Sequence, residues 1–197
     1  TYEKLLNNVN TIINSAATVK HLGDYSYFER INITGVRQLI KFCKESSNCK
    51  FVHISTLSVS GTNTKMHDVY QFTEEDLFVN QSFEDSPYIK SKFLAEKLLL
   101  HAMKEGLDVS IFRLGNITWR KKDGKFQINK NENLFFNLMQ YIVNCKLLPN
   151  ALKSKLFNLS PVEECASFIV KILLENNKNN VYHIYNDNQL TLEQIVA

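Results

Sequence analysis

Four short β-branched runs, Val9 to Asn14, Phe51 to Val59, Val109 to Phe112 and Val181 to Tyr185, are separated by longer segments whose apolar residues recur at intervals of three and four. That alternation constrains the fold more than any other feature. The longer segments, Tyr25 to Cys43, Pro87 to Met103, Leu134 to Leu147 and Val162 to Leu174, have helical periodicity and enough length to return the chain across a sheet. A strand, a crossover helix and a further strand pair in parallel through right-handed connections. The sequence therefore predicts an α/β fold with a parallel sheet covered by helices on both faces. Ligands of such sheets bind beyond the carboxyl ends of the strands, so the residues after each run are where chemistry is sought.

The 197 residues can bury one sizeable core, and no Pro/Gly/Ser-rich linker divides them, so residues 1–197 read as one domain or part of one. A chain that is 44% hydrophobic and 22% charged is neither collagenous nor low-complexity. Its 23 basic residues are interleaved with 20 acidic ones, a mixed solvated surface that predicts no nucleic-acid partner. No apolar run approaches the roughly 18 residues of a membrane span. The opening TYEKLLNNVN lacks the basic and then apolar layout of a signal peptide, so the expected compartment is the cytoplasm, with no membrane partner. Cys43, Cys49, Cys145 and Cys165 show no C-x-x-C pairing and are expected as buried thiols, with neither a metal site nor a disulfide framework.

The first strand runs into Asn14, Ser15, Ala16 and Ala17, small residues that either let a ligand approach the backbone or form a plain turn. The second ends in hydroxyls, including Ser55, Thr56, Ser58 and Ser60, which either bond a carbonyl or cap the strand end. Ser86 and Pro87 then suit the cap and first position of a helix that Tyr88 opens. Lys92, four residues on, projects from the same face. An ammonium close to a phenol favours phenolate and lowers its pKa towards the range of a useful proton donor. That spacing by itself is equally a solvated Lys one turn from a surface Tyr. The third strand leads into Arg113, Leu114, Gly115, Asn116 and Ile117, again with a small residue at a strand end. Trp119 to Asn133 is polar and lysine-rich, a long exposed loop that is either a binding surface or simply solvated.

Taken in order, NSAATV (Asn14 to Val19), YFERINITGVRQLI (Tyr27 to Ile40), HISTLSVSG (His53 to Gly61), YIKSKFLAEKLL (Tyr88 to Leu99), RLGNI (Arg113 to Ile117), DGKFQIN (Asp123 to Asn129) and LSPVEECA (Leu159 to Ala166) resemble the extended short-chain dehydrogenase/reductase family. Within it they resemble the thioester reductase domains of nonribosomal peptide synthetases. Y-x-x-S-K-x-x-A-E identifies only the superfamily; RLGNI and SPVEECA discriminate further, since sugar-nucleotide epimerases and dehydratases usually carry a Tyr-Gly-Pro element after the third strand. The acyl-reductase parts of carboxylic acid and aminoadipate reductases are close alternatives.

The resemblance implies a Rossmann-like sheet, NADPH as cofactor, and reductive release of a thioester-bound peptide or acyl group from a phosphopantetheinylated peptidyl carrier protein, as an aldehyde or alcohol. Thr56 would orient the carbonyl, Tyr88 protonate the oxyanion, and Lys92 lower the Tyr88 pKa while binding the nicotinamide ribose. Asn14, Ala16 and Ala17 would line the cofactor, and Leu114, Gly115, Asn116 and Ile117 would border the nicotinamide. Asn32 matches an Asn that supports this site, or is a buried helix amide. The family's first strands and its T-G-x-x-G-x-x-G turn, whose amides hold the pyrophosphate, have no counterpart among the six glycines. The chain is therefore expected to be a piece of a larger reductase domain, containing the later part of the core and part of the substrate-binding region. A non-catalytic α/β module that docks a carrier protein is the rival reading. Arg120, Lys121, Lys122 and Lys125 would offer an acidic carrier an electrostatic surface, or would keep the loop solvated.

Overall fold

The computed structural model describes residues 1–20, 23–61, 71–83, 86–175 and 180–196. It separates into two compact units, one formed by residues 1–113 with 178–183, the other by 114–177 with 184–197.

The first unit contains most of a four-stranded sheet in the order β1 (Thr11–Asn14), β2 (Lys50–Thr56), β3 (Val109–Leu114) and β7 (Val181–Ile184). β1 pairs in parallel with β2, with Ile12 opposite Phe51 and Asn14 opposite His53. As the sequence predicts, this is a Rossmann-like parallel sheet with helices. β1 forms an edge, and Ile13 on it is 57% exposed. Helix α1 (Tyr2–Asn8) precedes it. The predicted Tyr25 to Cys43 helix is three pieces: α2 (Tyr25–Phe28), a π-helical stretch Glu29–Thr34 and α3 (Gly35–Glu45). Periodicity located the helical span but cannot register the wider π turn. That turn sets Asn32 and Ile33 inward, and such insertions are frequent at functional sites.

Helix α4 (Pro87–Lys104) begins as its sequence predicts, with Pro87 in the first turn and the Ser86 hydroxyl accepting from the Ile89 N–H at 3.3 Å. Its residues Ala95, Leu99 and Ala102 pack with Val36, Ile40 and Cys43 of α3, Phe51 of β2, and Val109 and Ile111 of β3. Burying each large apolar side chain there is worth about 1.5–3 kcal/mol. The Phe112 ring stacks on Tyr182 with centroids 5.0 Å apart. β2 ends at Thr56, which caps a 3₁₀ turn, Leu57–Ser60. Gly61 closes that turn at a φ of +60°, and a Cβ there would lie 2.8 Å from Gln81 Cβ, so only glycine fits.

The second unit contains strands too short to read from the sequence. β4 (Ile117–Thr118) pairs in parallel with β6 (Ser160–Pro161), and β5 (Leu156–Asn158) antiparallel with β8 (Gln189–Thr191). Helices α5 (Leu134–Cys145), α6 (Val162–Leu174) and α7 (Leu192–Val196) complete it. Cys43, Cys49 and Cys165 are buried, as expected, whereas Cys145 at the end of α5 is exposed.

Candidate active site

At the carboxyl end of β2 the Thr56 hydroxyl accepts from the Ser58 N–H at 3.2 Å, which fixes its rotamer. It is also hydrogen-bonded to the Tyr88 phenol. Because the Thr56 oxygen already accepts from the backbone, its own proton can be given to the phenol, leaving the Tyr88 proton for a carbonyl oxygen. Two hydroxyls brought together by a strand end and a helix start thus form a small donor pair, as the hydroxyl-rich strand end suggests.

Lys92, four residues after Tyr88 on α4, makes contacts on β2. Its side chain is buried, and Nζ donates to the Ile54 carbonyl at 2.6 Å and lies 3.2 Å from His53 Nε2, so its contacts run to β2. Burial pulls Lys92 down to about 8, against the opposing pull of the Glu96 carboxylate. Burial pushes the Tyr88 phenol up to about 12, and the Thr56 hydrogen bond is what opposes that rise. The expected lowering of the phenol is corrected accordingly: desolvation outweighs the nearby groups.

Asn14, at the end of β1, is buried and faces His53, with Nδ2 and Nδ1 3.3 Å apart. Its Oδ1 accepts from the Ala16 N–H at 3.3 Å, which shapes the turn that exposes Ala16 and leaves Ala17 partly covered. Asn32 braces the same loop. Its amide accepts from the Thr18 N–H at 2.9 Å and donates to the Thr18 carbonyl at 3.1 Å and to Ser91 Oγ at 2.8 Å. Ser91 in turn donates to the Tyr88 carbonyl at 2.7 Å. Asn32 is thus a buried amide that ties the Thr18 loop to Ser91 of α4.

A further group was invisible as chemistry in the sequence. Glu96 and Arg113, both fully buried, pair with Arg113 Nη2 and Nε at 2.9 and 3.0 Å from Glu96 Oε2, and Ser55 Oγ donates to Glu96 Oε1. Arg113 also donates to the Thr73 and Asp76 carbonyls at 3.2 and 2.7 Å, and its guanidinium lies over the Phe72 ring. Y-x-x-S-K-x-x-A-E thus has a physical reading at each letter. Tyr88 bonds Thr56, Ser91 ties α4 to Asn32, Lys92 reaches β2, Ala95 is fully buried in the core, and Glu96 neutralises Arg113. The available signals were Glu96 four residues after Lys92, and charged or polar letters inside otherwise apolar strands: His53, Ser55 and Arg113.

Leu114, Gly115, Asn116 and Ile117 belong to the second unit. A Cβ on Gly115 would lie 2.5 Å from Asn158 Oδ1 and 2.8 Å from Tyr185 Cβ, so close backbone approach explains that glycine. The Asn116 N–H donates to Asn158 Oδ1 at 2.8 Å, and Ile117 sits opposite Ser160, which joins RLGNI to the LSPVEECA segment. In the basic loop Arg120 pairs with Asp123, and Lys121 with Glu164 at 3.0 Å. Those charges are partly spent inside the unit. The loop also borders a cavity of about 390 Å³, lined by Ile117, Thr118, Phe126, Gln127, Ile128 and Val162 among others.

A parallel sheet with hydroxyls, a buried lysine and small residues beyond its strand ends defines a Rossmann-like domain of the nicotinamide-binding class. Within that class the chain belongs to the male sterility protein family, whose profile matches residues 1–169. It is 22% identical over 197 residues, all of this chain, to a linear gramicidin synthase from Brevibacillus parabrevis, and spans 4% of that protein. A thiolation-reductase di-domain from an archaeal nonribosomal peptide synthetase superposes with a TM-score of 0.88 at 34% identity, over 99% of this chain and 42% of that one. The aureusimine biosynthetic cluster reductase domain gives 0.77 at 25% identity, over 94% and 49%. The chain therefore spans under half of each of these relatives.

The residues present fit the nicotinamide end of such a cofactor. Beyond β1 the Ala16 and Ala17 methyls permit close approach, and beyond β2 stand the Thr56 and Tyr88 hydroxyls and the buried Lys92 amine. With no T-G-x-x-G-x-x-G spacing among its glycines, this chain offers no such amide cradle for a pyrophosphate.

Proposed function

We propose that the chain is part of an NADPH-dependent thioester reductase that releases a peptidyl or acyl group from a phosphopantetheinylated carrier protein as an aldehyde or alcohol. The observation that carries this reading is the Thr56–Tyr88 hydroxyl pair beside a buried lysine at the carboxyl end of β2. The likeness to a thiolation-reductase di-domain supports the carrier protein as partner. When bound, the reduced nicotinamide supplies a hydride to the thioester carbonyl carbon. Thr56 and Tyr88 meet the carbonyl oxygen as charge develops there, and Tyr88 gives it a proton. Return of that proton to Tyr88 lets the hemithioacetal expel a thiolate, which takes up a proton from solvent, and leaves an aldehyde. The raised phenol pKa keeps the donor protonated at neutral pH.

The test uses the full-length protein with a pantetheine thioester, following NADPH oxidation and aldehyde formation together. Wild type should consume cofactor in step with aldehyde or alcohol. Tyr88→Phe should lower kcat about 10²- to 10⁴-fold with cofactor affinity nearly unchanged. Release of free acid without cofactor consumption, or near-wild-type turnover by Tyr88→Phe, would overturn the assignment.

A further inference from the structure

Cys43 and Cys49 meet where α3 ends and β2 is about to begin, at the amino end of β2 and away from the hydroxyl pair at its carboxyl end. Their Sγ atoms lie 2.7 Å apart. Both thiols are free and buried in the core cluster, yet both also line a cavity of about 400 Å³ that Glu105, Gly106, Leu107 and Asp108 border as well. Thiols that fill a core as small hydrophobes need neither each other nor an opening to solvent. Here the two sulfurs face one another beside such an opening. A disulfide holds its sulfurs about 2.05 Å apart, so the pair closes by a shift of less than about 1 Å. Cys43 sits in the last turn of a regular helix, whereas Cys49 follows the irregular turn of residues 46–48, whose backbone can supply that shift.

The bridged segment also holds the edge of the sheet. The Ser46 hydroxyl donates to the Leu6 carbonyl at 2.9 Å, and the Lys50 N–H donates to the Asn10 carbonyl at 2.9 Å. Both of its ends thus bind the chain that leads into β1. We propose that Cys43 and Cys49 are a redox-active dithiol that closes to a disulfide by exchange with a small-molecule disulfide of the glutathione type, and that closure fastens the turn anchoring edge strand β1.

The exchange has two steps. Cys49, as thiolate, attacks one sulfur of glutathione disulfide; that S–S bond breaks, one glutathione leaves as thiolate and takes up a proton, and a mixed disulfide remains on Cys49. Cys43, having given its proton to solvent, then attacks Cys49 Sγ, and the second glutathione leaves as thiolate and is protonated in turn. Two protein thiols are oxidised and one glutathione disulfide is reduced to two thiols, so electrons and protons balance. The order follows from the surroundings of Cys43. Burial first, and then the Cys49 thiol beside it, push its pKa up, which makes it a poor first nucleophile. Once Cys49 carries a glutathione, the neighbouring thiol that opposed its ionisation is gone. Where small thiols are kept reduced, the free pair is the resting form, and the disulfide forms only when that pool is oxidised.

The experiment equilibrates the full-length protein with graded mixtures of glutathione and glutathione disulfide, quenches with acid, alkylates the remaining thiols and digests with trypsin. The expected product is residues 42–44 joined through sulfur to residues 45–50, lighter than the separate peptides by the two thiol hydrogens. Its equilibrium constant should be at least about 10-fold above that of the same pair in urea-unfolded protein, because the fold holds the sulfurs together. Cys43→Ala should stop at the mixed disulfide on Cys49, whereas Cys49→Ala should leave Cys43 unmodified. Hydrogen exchange at the β1 amides should be about threefold slower or more in the oxidised wild type than in the reduced. No joined peptide at any ratio, whether the thiols stay free or carry glutathione, overturns the proposal, as does a native constant no larger than the unfolded one. A joined peptide with unchanged exchange at β1 overturns the anchoring role. None of these readouts involves NADPH or a thioester, so this pair and the reductase assignment fail separately.

Discussion

Helix α4 meets β2 and β3 at two ends of one seam, and the chemistry of the two ends is opposite. Toward the amino ends of the strands the shared face presents Phe51, Val109 and Ile111 to Ala95, Leu99 and Ala102. Two residues further along each strand the same alternation presents His53, Ser55 and Arg113 to Lys92 and Glu96. The backbone geometry is continuous, so the difference lies in side chains alone. Aliphatic groups hold the sheet by area and tolerate many shapes. The buried polar groups stay neutral or paired only through particular partners, and a lost partner exposes an uncompensated charge. Specific chemistry is concentrated where the sheet is least tolerant, at the strand ends where ligands of this fold bind.

The comparison breaks most severely at Glu96. Replacing it with Ala leaves the Arg113 guanidinium buried without the Glu96 carboxylate, and removes the acceptor of Ser55 Oγ. Glu96→Ala should destabilise the protein by about 3–5 kcal/mol in urea unfolding. A double change of Glu96 and Arg113 to apolar residues should recover only part of this, because the Thr73 and Asp76 carbonyls would also lose the donors that Arg113 provides. Full recovery would mean that the network contributes charge neutralisation and nothing more.

Next in size is the pH dependence of stability, where the polar end should act and the apolar end be silent. Lys92 titrates near 8 in the folded chain and at its usual 10.5 when unfolded. Between those values the unfolded state holds a proton that the folded state lacks, so stability rises with pH across that window, by about 2 kcal/mol or more. Tyr88 acts in the opposite sense. Its phenol is raised from 10.0 to about 12, so its contribution is complete below the lower value and is lost as pH climbs through the higher. His53, held well below 6.5 by burial and then by Lys92, contributes stability above that pH that fades as acid is added. Chemical unfolding at a series of pH values, with Lys92→Met as reference, should show the alkaline rise in wild type and its absence in the variant. An identical slope in both would remove Lys92 as its source.

The same division explains what could be read from the sequence. The apolar pattern carried the four main strands and the α4 and α6 boundaries, because burial area follows period and period is local. The placement of Thr56 at a strand end and of Tyr88 in the first turn of a helix was legible too, from hydroxyls followed by a helix cap. The π turn at Glu29–Thr34 and the strands Ile117–Thr118, Leu156–Asn158, Ser160–Pro161 and Gln189–Thr191 were not. They are too short to show a period and are fixed by partners distant in the chain. The contacts Lys92 makes on β2 were not legible for a related reason. Spacing on a helix gives the face a side chain leaves from, whereas its end point is set by His53 and Ile54 on a strand that is 38 or more residues away.

The smallest effect belongs at the apolar end, and its smallness is the point. Leu99 is fully buried among aliphatic neighbours, with no polar atom that depends on its shape. Leu99→Met keeps the volume nearly constant and adds a flexible thioether that can adapt to the site, so it should cost less than about 1.5 kcal/mol. The alkaline rise in stability assigned to Lys92 should keep its midpoint, because nothing at the carboxyl end of β2 touches Leu99 in a way that a methionine would disturb. Should Leu99→Met cost as much as Glu96→Ala, or move the Lys92 midpoint, the two ends of the seam would be one coupled unit, and the contrast between tolerant packing and partner-specific chemistry would fail.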